Sequence, residues 1–291
     1  MGDFKHLLES MRSVAAQDNN ARIAHLRLDR WIDYPRAAHV LKILNEMLDT
    51  PERNRMPCLL VHGDSGMGKS MIIEKFKRAH PPIYDGSSGV ERHPVIVMEM
   101  PAAPSQRRFY AELLQVINAP YSPSARIDAL EFTTIKVMRT IQPRMLIVDE
   151  IHNLLAGSPR EQRAALNLLK FLSNQLNCCV VVAGTADAVL ALQSDDQMVS
   201  RFRPFELSRW RESDEFRGFV QSFEKTLPIR QKSGLGDQPI VQALLEASGV
   251  LTWLVAEVLT SAARAAIRSG SERITVDLIR AAALSFEGST A

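Results

Sequence analysis

The sequence predicts an α/β fold in which a parallel β-sheet is covered by helices and followed by a small domain of helices alone. Short apolar runs alternate with helical periods as far as Leu207, and such alternation is typical of a parallel sheet covered on both faces. After Leu207 only helical periods remain. A glycine-rich segment at residues 63–70 joins the first apolar run to a helical period, as in folds that bind phosphate.

Length and composition describe an ordinary globular protein. The chain has 291 residues, of which 46% are hydrophobic and 23% charged, enough for one large domain or two modest ones. The net charge of +2 gives no whole-molecule indication of nucleic-acid binding, so any such contact needs a local patch or many copies. Residues 1–10 lack a signal core, and no run reaches the ~18 apolar residues of a membrane span.

The three cysteines and the absence of a targeting signal indicate a cytoplasmic protein without a membrane partner. Cys58, Cys178 and Cys179 lie beside or inside apolar runs. Their spacing does not suit a metal site, so we expect buried thiols in a reducing compartment.

The first 50 residues are predicted to form an N-terminal segment of their own. Residues 1–30 form a polar, weakly helical lead with a break at 14–20. An aromatic and charged stretch at 28–36 comes next, and a helix follows over residues 36–48 because apolar residues share one of its faces.

Residues 51–208 are predicted to form the sheet and its covering helices. Apolar runs predict strands at 58–62, 95–98, 145–148, 179–183 and 204–207. Helical periods occupy 69–79, 105–117, 127–141 and 160–176, and Ser105 suits the cap of the second. The glycines and serines of residues 83–93 predict a loop.

Residues 209–291 are predicted to form the helical domain. Helical periods occur at about 213–226, 238–247, 250–268 and 275–285, with glycines in the gaps. Without a strand of its own, this part of the chain should pack as a small helical unit.

The segment at residues 63–70 has the pattern GxxxxGK[ST] of a phosphate-binding loop. Glycines allow the backbone to wrap around phosphate with its N–H groups pointing inward, and the following helix directs its positive end at the same oxygens. Lysine adds charge at the β- and γ-phosphates, and serine binds magnesium. The eight assigned residues are Gly63, Asp64, Ser65, Gly66, Met67, Gly68, Lys69 and Ser70.

Two carboxylates follow the apolar strand predicted at residues 145–148. The carboxyl end of a parallel strand faces the ligand crevice, so Asp149 is assigned to magnesium and Glu150 to activation of the attacking water. The alternative is that the pair only caps the next helix. Coupled to a phosphate loop, the pair favours hydrolysis over passive binding.

Three further residues are weaker candidates. Thr185 follows the next strand, where a polar side chain can reach the γ-phosphate or the water, although it equally suits a helix cap. Arg201 and Arg203 precede the last strand, and either could reach the phosphate of a neighbouring subunit. We favour Arg201; the alternative is that both are surface charges. His62 and His152 are interpreted as supporting residues, not catalytic ones.

These motifs, in this order and followed by a helical tail, resemble the AAA+ ATPases. The stretch Asp-Arg-Trp-Ile-Asp-Tyr-Pro-Arg-Ala at residues 29–37, the Arg-Met-Pro at 55–57 and the Asp-Glu-Ile-His-Asn-Leu-Leu at 149–155 narrow the resemblance to the TniB family of transposon regulators. It extends from about residue 20 to 285. The resemblance implies that the last domain is an AAA+ lid.

The resemblance implies a function and its partners. Members are expected to bind ATP and Mg²⁺, to assemble as filaments or rings on duplex DNA, to recruit a transposase and to disassemble upon hydrolysis. A target-selection protein is a further candidate partner. Ile32 and Tyr34 would border the adenine, unless their stretch is a hydrophobic staple on the core. The alternatives are an initiator-type helicase or clamp loader, or a nucleotide-gated scaffold with little turnover.

The resemblance also implies DNA contacts after the second strand. Arg107, Arg108 and Arg126 are the candidates there, although each equally suits a solvated helix face. Many subunits that each neutralise a few phosphates would bind DNA tightly, with strong salt dependence and without sequence specificity. One departure stands out: residues 248–254 contain no arginine, where many AAA+ proteins sense the γ-phosphate.

Overall fold

The computed structural model describes residues 4–193 and 196–287, which group into two compact units. The sheet unit contains residues 39–65 and 69–207, and the helical unit contains residues up to 38, residues 66–68 and residues from 208 onward. The sequence suggested a separate segment at 1–50, whereas residues up to 38 group with the C-terminal helices. The tip of the phosphate loop, residues 66–68, joins them.

The sheet unit is built on a five-stranded parallel sheet, which confirms the predicted fold class. In chain order the strands of the protein are β1 (Cys58–His62), β2 (Ile83–Asp85), β3 (Val90–Arg92), β4 (Val95–Glu99), β5 (Met145–Asp149), β6 (Cys179–Gly184) and β7 (Phe202–Glu206). The order in the parallel sheet is β4-β5-β6-β1-β7. Every residue of β5 and β6 is buried, which explains their unbroken apolar runs.

The helices were largely anticipated. Those with residues in the sheet unit are α3 (Pro35–Leu48), α4 (Lys69–Ala79), α5 (Gln106–Val116), α6 (Ile127–Ile141), α7 (Pro159–Leu176), α8 (Asp187–Gln193) and α9 (Asp196–Val199), with α1 (Glu9–Ala15) and α2 (Asn19–His25) preceding them in the chain. A 3₁₀-helix, Ile151–Ala156, follows β5. Ser105 caps α5 by accepting the Arg108 N–H. Cys58, Cys178 and Cys179 are buried as free thiols.

The loop predicted at residues 83–93 is wrong, because β2 and β3 form an antiparallel hairpin there. The Asp85 carboxylate accepts hydrogen bonds from the Ser87 N–H and hydroxyl and from Arg92, which holds the turn. Ile83 and Tyr84 are 61% and 70% exposed. A short strand without a buried face has no apolar alternation to reveal it. The last strand also begins earlier than predicted, at Phe202.

The helical unit contains α1, α2, the start of α3, and then α10 (Asp214–Glu224), α11 (Gln238–Ala247), α12 (Thr252–Ser269) and α13 (Val276–Glu287). Its centre includes stacked rings, with Trp210 and Phe219 centroids 4.8 Å apart. Arg36 lies over the Trp210 ring and pairs with Glu215 at 2.6 Å. Among the described residues no single helix could cross a membrane; only α11 and α12, bent by 116°, pass as a pair by length and composition.

A buried ion pair ties α2 to the segment before α13 within the helical unit. Arg22 is fully buried and donates to both carboxylate oxygens of Glu272, at 2.7 and 2.6 Å. Its remaining contacts include the Pro228 carbonyl. The segment predicted as a polar lead, residues 1–30, therefore contains a buried charge whose partner lies 250 positions further along the chain.

Replacing Glu272 with glutamine is expected to lower the free energy of unfolding by about 3–5 kcal/mol, because it leaves the Arg22 guanidinium buried without its counter-charge. Urea unfolding followed by circular dichroism measures the loss. The matched control is Glu74→Gln, which breaks the exposed Arg78–Glu74 pair and should cost less than about 1 kcal/mol. Equal losses of unfolding free energy in both variants would contradict the stabilising role of the buried Arg22–Glu272 pair.

The same pair predicts a pH dependence. Burial would raise the pKa of Glu272, but hydrogen bonds from Arg22 and the Arg230 N–H outweigh it and lower this pKa below its ordinary value of 4.5. A carboxylate whose pKa is depressed by folding stabilises the folded state fully above the unfolded pKa, and this contribution disappears as pH falls through the folded pKa. The wild type should therefore lose its advantage over Glu272→Gln only in acid.

Candidate functional site

The phosphate loop has the backbone that its glycines predicted. It leaves β1 at Gly63, whose N–H donates to the Gly184 carbonyl at 3.3 Å, so the loop starts beside the carboxyl end of β6. Gly66 and Gly68 have φ angles of +79° and +91°, which side chains with a Cβ rarely adopt. The sharp turn from strand to helix therefore depends on these two positions.

Lys69 begins α4 and is 6% exposed. Its ammonium donates to the carbonyls of Gly63 and Asp64 at 2.8 and 2.9 Å. Burial lowers the pKa of Lys69, and the charges of Asp149, Glu150 and Asp64 act in the opposite direction. The carbonyls of the loop itself thus hold a cation at the place where phosphate oxygens would need one.

Ser70 and Asp149 come into direct contact. The Ser70 hydroxyl donates to Asp149 Oδ2 at 2.7 Å, and Oδ1 accepts the Glu150 N–H at 2.8 Å. Two oxygen ligands side by side suit Mg²⁺, which takes one or two protein oxygens and completes its shell with phosphates and water. In residues 4–193 and 196–287 no group of three or more His, Cys, Asp or Glu side chains could hold a metal.

Glu150 has an unusual backbone. Its φ is +54°, and left-handed residues other than glycine concentrate at functional sites. The Glu150 side chain remains 40% exposed, and Oε2 lies 3.2 Å from His152 Nδ1 without the geometry of a hydrogen bond. A carboxylate that keeps contact with solvent can accept a proton from water, whereas the helix-cap alternative lacks support because no side-chain cap bond starts the 3₁₀-helix.

Thr185 lies one residue beyond β6. Its hydroxyl is buried and has no hydrogen-bond partner among the described side and main chains, and α8 begins only at Asp187. The capping alternative therefore finds no hydrogen bond to support it. A buried hydroxyl without a hydrogen-bond partner is rare, and this one is available to bond a phosphate or water oxygen.

The two candidate arginines differ in their surroundings. Arg201 is half-buried and donates to Asn174 Oδ1 at 2.8 Å, whereas Arg203 lies exposed on β7, the edge strand beside β1. The preference for Arg201 as the group that reaches a neighbouring subunit stays a prediction.

Ile32 and Tyr34 are both buried, at 8% exposure. Tyr34 makes edge contacts with Trp210 and Phe219, at centroid distances of 5.3 and 5.4 Å, as a staple would. Its hydroxyl also lies 3.7 Å from the place a Cβ would take on Gly68, beside the loop tip. Burial raises the pKa of Tyr34 to about 12, so this hydroxyl stays protonated.

The proposed DNA contacts lie at the start of α5 and just before α6. Arg107 donates to the Pro123 carbonyl at 3.0 Å, in the connection between the two helices. Arg108 is exposed. Arg126 is 89% exposed and only loosely paired with Asp128, at 3.8 Å. These arginines are accessible to a polyanion, as a solvated helix face would also be.

Sequence reasoning missed Trp253. Residues 248–254 lack an arginine, but the structure places this tryptophan, 48% exposed, in contact with Gly66. The Trp253 N–H donates to the Gly66 carbonyl at 3.0 Å. A tryptophan in the first turn of the helix predicted at residues 250–268 is the sequence signal that could have revealed it.

Comparison with known proteins gives a match to one family model. The model of the bacterial TniB protein family matches residues 22–212, whereas no curated protein is matched.

Solved structures give the same fold at low identity. Cdc6p from Pyrobaculum aerophilum has a TM-score of 0.62 at 14% identity, covering 89% of this chain and 69% of its own. The ORC1 protein of Aeropyrum pernix in complex with DNA has a TM-score of 0.63 at 16% identity, covering 91% of this chain and 69% of its own. A Walker-type ATPase of Pyrococcus abyssi has a TM-score of 0.60 at 13% identity, covering 90% of this chain and 76% of its own. At such identities the likeness concerns the fold alone.

Proposed function

Because the chain belongs to the TniB family and has the AAA+ ATPase fold, we propose that it is an ATP-dependent regulator of DNA transposition. It assembles on duplex DNA with ATP bound, recruits the transposase to that DNA and disassembles upon hydrolysis. The observation that carries the ATP-dependent part of the proposal is the contact of Ser70 with Asp149, which joins the phosphate loop to the acidic strand end. The family match carries the role in transposition.

Nucleotide binding follows from the loop and its lysine. The N–H groups of residues 63–70 and the positive end of α4 surround the phosphates. The Lys69 ammonium exchanges its two carbonyl partners for β- and γ-phosphate oxygens. Ser70 and Asp149 would hold Mg²⁺, which when bound neutralises charge on the phosphates. Ile32 and Tyr34 border the base.

Hydrolysis requires a base, an orienting group and a cation. Glu150 accepts the proton of the attacking water, and the unpaired Thr185 hydroxyl orients that water or the γ-phosphate. Arg201 of a neighbouring subunit stabilises the charge that develops in the transition state. Because that charge comes from a second copy, turnover depends on assembly.

DNA binding rests on family membership and on charge. The Aeropyrum ORC1 structure was solved with DNA, which supports nucleic-acid binding as a use of this fold. Arg107, Arg108 and Arg126 can neutralise phosphates. A monomer with a net charge of +2 binds weakly alone, whereas many subunits in a row add their contacts.

A second candidate is an initiator-type ATPase that loads a helicase or clamp. The likeness to Cdc6p and ORC1 favours it, but at 14–16% identity this likeness is one of fold. The match of residues 22–212 to the TniB family is the more specific finding and favours transposition.

Fluorescence anisotropy with labelled duplex DNA tests the interface. With a slowly hydrolysed ATP analogue, the wild type is expected to bind unrelated sequences equally and to lose affinity steeply as salt rises. Removing both Arg107 and Arg108 should reduce the slope of log affinity against log salt by about one per lost phosphate contact. The control is Arg78→Ala, an exposed arginine on α4.

Two outcomes would count against this interface. Equal salt slopes for the double variant and the Arg78→Ala control would show that α5 does not contact DNA. A wild type that binds no duplex with any nucleotide would contradict DNA binding as part of the proposed function.

A further inference from the structure

The first turn of α12 contacts the tip of the phosphate loop inside the helical unit. The Trp253 N–H donates to the Gly66 carbonyl at 3.0 Å. A Cβ on Gly66 would lie 1.8 Å from Cδ1 of the Trp253 indole, so the ring packs directly on that glycine. Next to it, the Trp210 indole N–H donates to the Thr252 hydroxyl at 3.0 Å, which fixes the start of the helix.

This contact determines which way a neighbouring N–H group points. The peptide between Gly66 and Met67 is trans, and in a trans peptide the C=O and the following N–H project to opposite sides. When the Gly66 carbonyl is bound to α12, the Met67 N–H must therefore point away from α12. A phosphate loop needs its N–H groups free and pointing toward the phosphate, so the bond fixes one of those donors in advance.

The contact serves the helix as well. The first turn of any α-helix has N–H groups without partners inside the helix, and the N-cap residue of α12, Leu251, has no side-chain cap bond. The Gly66 carbonyl satisfies the N–H of the second helical residue, Trp253. Helix and loop tip thus stabilise each other, and a change in one is transmitted to the other.

We propose that Trp253 is a positioning residue for phosphate binding, which holds the loop tip in its binding conformation and transmits occupancy of the loop to α12. It lies within residues 248–254, where this chain lacks an arginine. An arginine senses the γ-phosphate by charge, whereas Trp253 acts through the backbone of the loop. Its effect is therefore the same for ADP and ATP.

Affinity measurements on the full chain separate the N–H from the ring. Trp253→Ala removes the indole but keeps the donor, and Trp253→Pro removes both, at a place in the first turn where proline is tolerated. Proline is expected to lower the affinity for a fluorescent ADP analogue about tenfold more than alanine, the size of one lost hydrogen bond. A slowly hydrolysed ATP analogue should show the same ratio.

Intrinsic fluorescence gives a second readout that a purely structural role would not change. The chain has three tryptophans. ADP is expected to change the emission of the wild type and of Trp31→Phe, the matched control, and to change that of Trp253→Phe much less, since only Trp210, bonded to Thr252, then reports on α12. This readout also decides the matter if the melting temperature shows that the proline variant does not fold.

The outcomes distinguish this inference from the proposed function on which it rests. A wild type that binds neither ADP nor the ATP analogue would contradict both the proposed function and this inference. If the wild type binds, equal affinities of folded proline and alanine variants overturn the role of the N–H. A nucleotide-dependent emission change that is as large in Trp253→Phe as in the wild type overturns the transmission of occupancy to α12 through Trp253.

Discussion

Replacing Glu150 with glutamine is expected to lower the rate of ATP hydrolysis by about 10²–10⁴-fold while the affinity for ATP changes little. Glutamine has nearly the same shape but cannot accept the proton of the attacking water. Ser70, Asp149 and Lys69 keep their contacts, so the nucleotide is still bound. Phosphate release in the presence of duplex DNA measures the rate, and a fluorescent ATP analogue measures the affinity.

The chain offers a matched control for this variant. Glu99 ends β4 and pairs in register with Asp149 of β5, so Glu99→Gln makes the same chemical change at the same edge of the sheet. We expect Glu99→Gln to hydrolyse ATP at the wild-type rate. If Glu150→Gln does so as well, Glu150 is not the base. If the wild type itself has no measurable turnover, the protein is a nucleotide-gated scaffold.

Replacing Lys69 with alanine is expected to weaken ATP binding by about a hundredfold, the size of one or two charge-assisted hydrogen bonds. Lys69 is buried and supplies the ammonium that the Gly63 and Asp64 carbonyls now hold. Without it, the β- and γ-phosphate oxygens of bound ATP would lose the positive side chain assigned to them. Isothermal titration with ATP and Mg²⁺ measures the change.

Lys77→Ala is the control, because Lys77 is an exposed lysine of the same helix. It should bind ATP with wild-type affinity. Melting temperatures without nucleotide show whether both variants are folded. Folded Lys69→Ala protein that retains wild-type affinity would contradict the assignment of residues 63–70 as the nucleotide site. The two largest predicted effects therefore separate: Lys69→Ala should reduce ATP binding, and Glu150→Gln should reduce turnover.

Features with local causes were predictable from the sequence. Residues 63–70 need glycine at left-handed positions and a lysine at the start of a helix, and a single stretch of sequence contains all of these. The β5 strand is buried along its whole length, so its apolar run ends where Asp149 and Glu150 begin. The sheet places the carboxyl ends of its parallel strands at one edge, which brings these carboxylates to the loop.

Features with distant or exposed partners were not predictable. Arg22 and Glu272 are 250 positions apart, and no local pattern relates them. The β2–β3 hairpin has exposed strands, so it lacks the alternation that reveals a half-buried strand. Trp253 was missed because its partner is a backbone carbonyl, a group that every residue carries. Thr185 allows two interpretations because a polar residue just after a strand suits both a phosphate contact and a helix cap, so its role stays a prediction.

Electron microscopy of the Glu150→Gln variant, mixed with ATP, Mg²⁺ and duplex DNA, tests the central claim most directly. Glutamine at this position is expected to slow hydrolysis by about 10²–10⁴-fold, so an ATP-dependent assembly should accumulate. We expect ordered rings or helical filaments along the DNA with ATP, and none with ADP or with Lys69→Ala protein. DNA that stays free of ordered assemblies with every nucleotide would contradict the account.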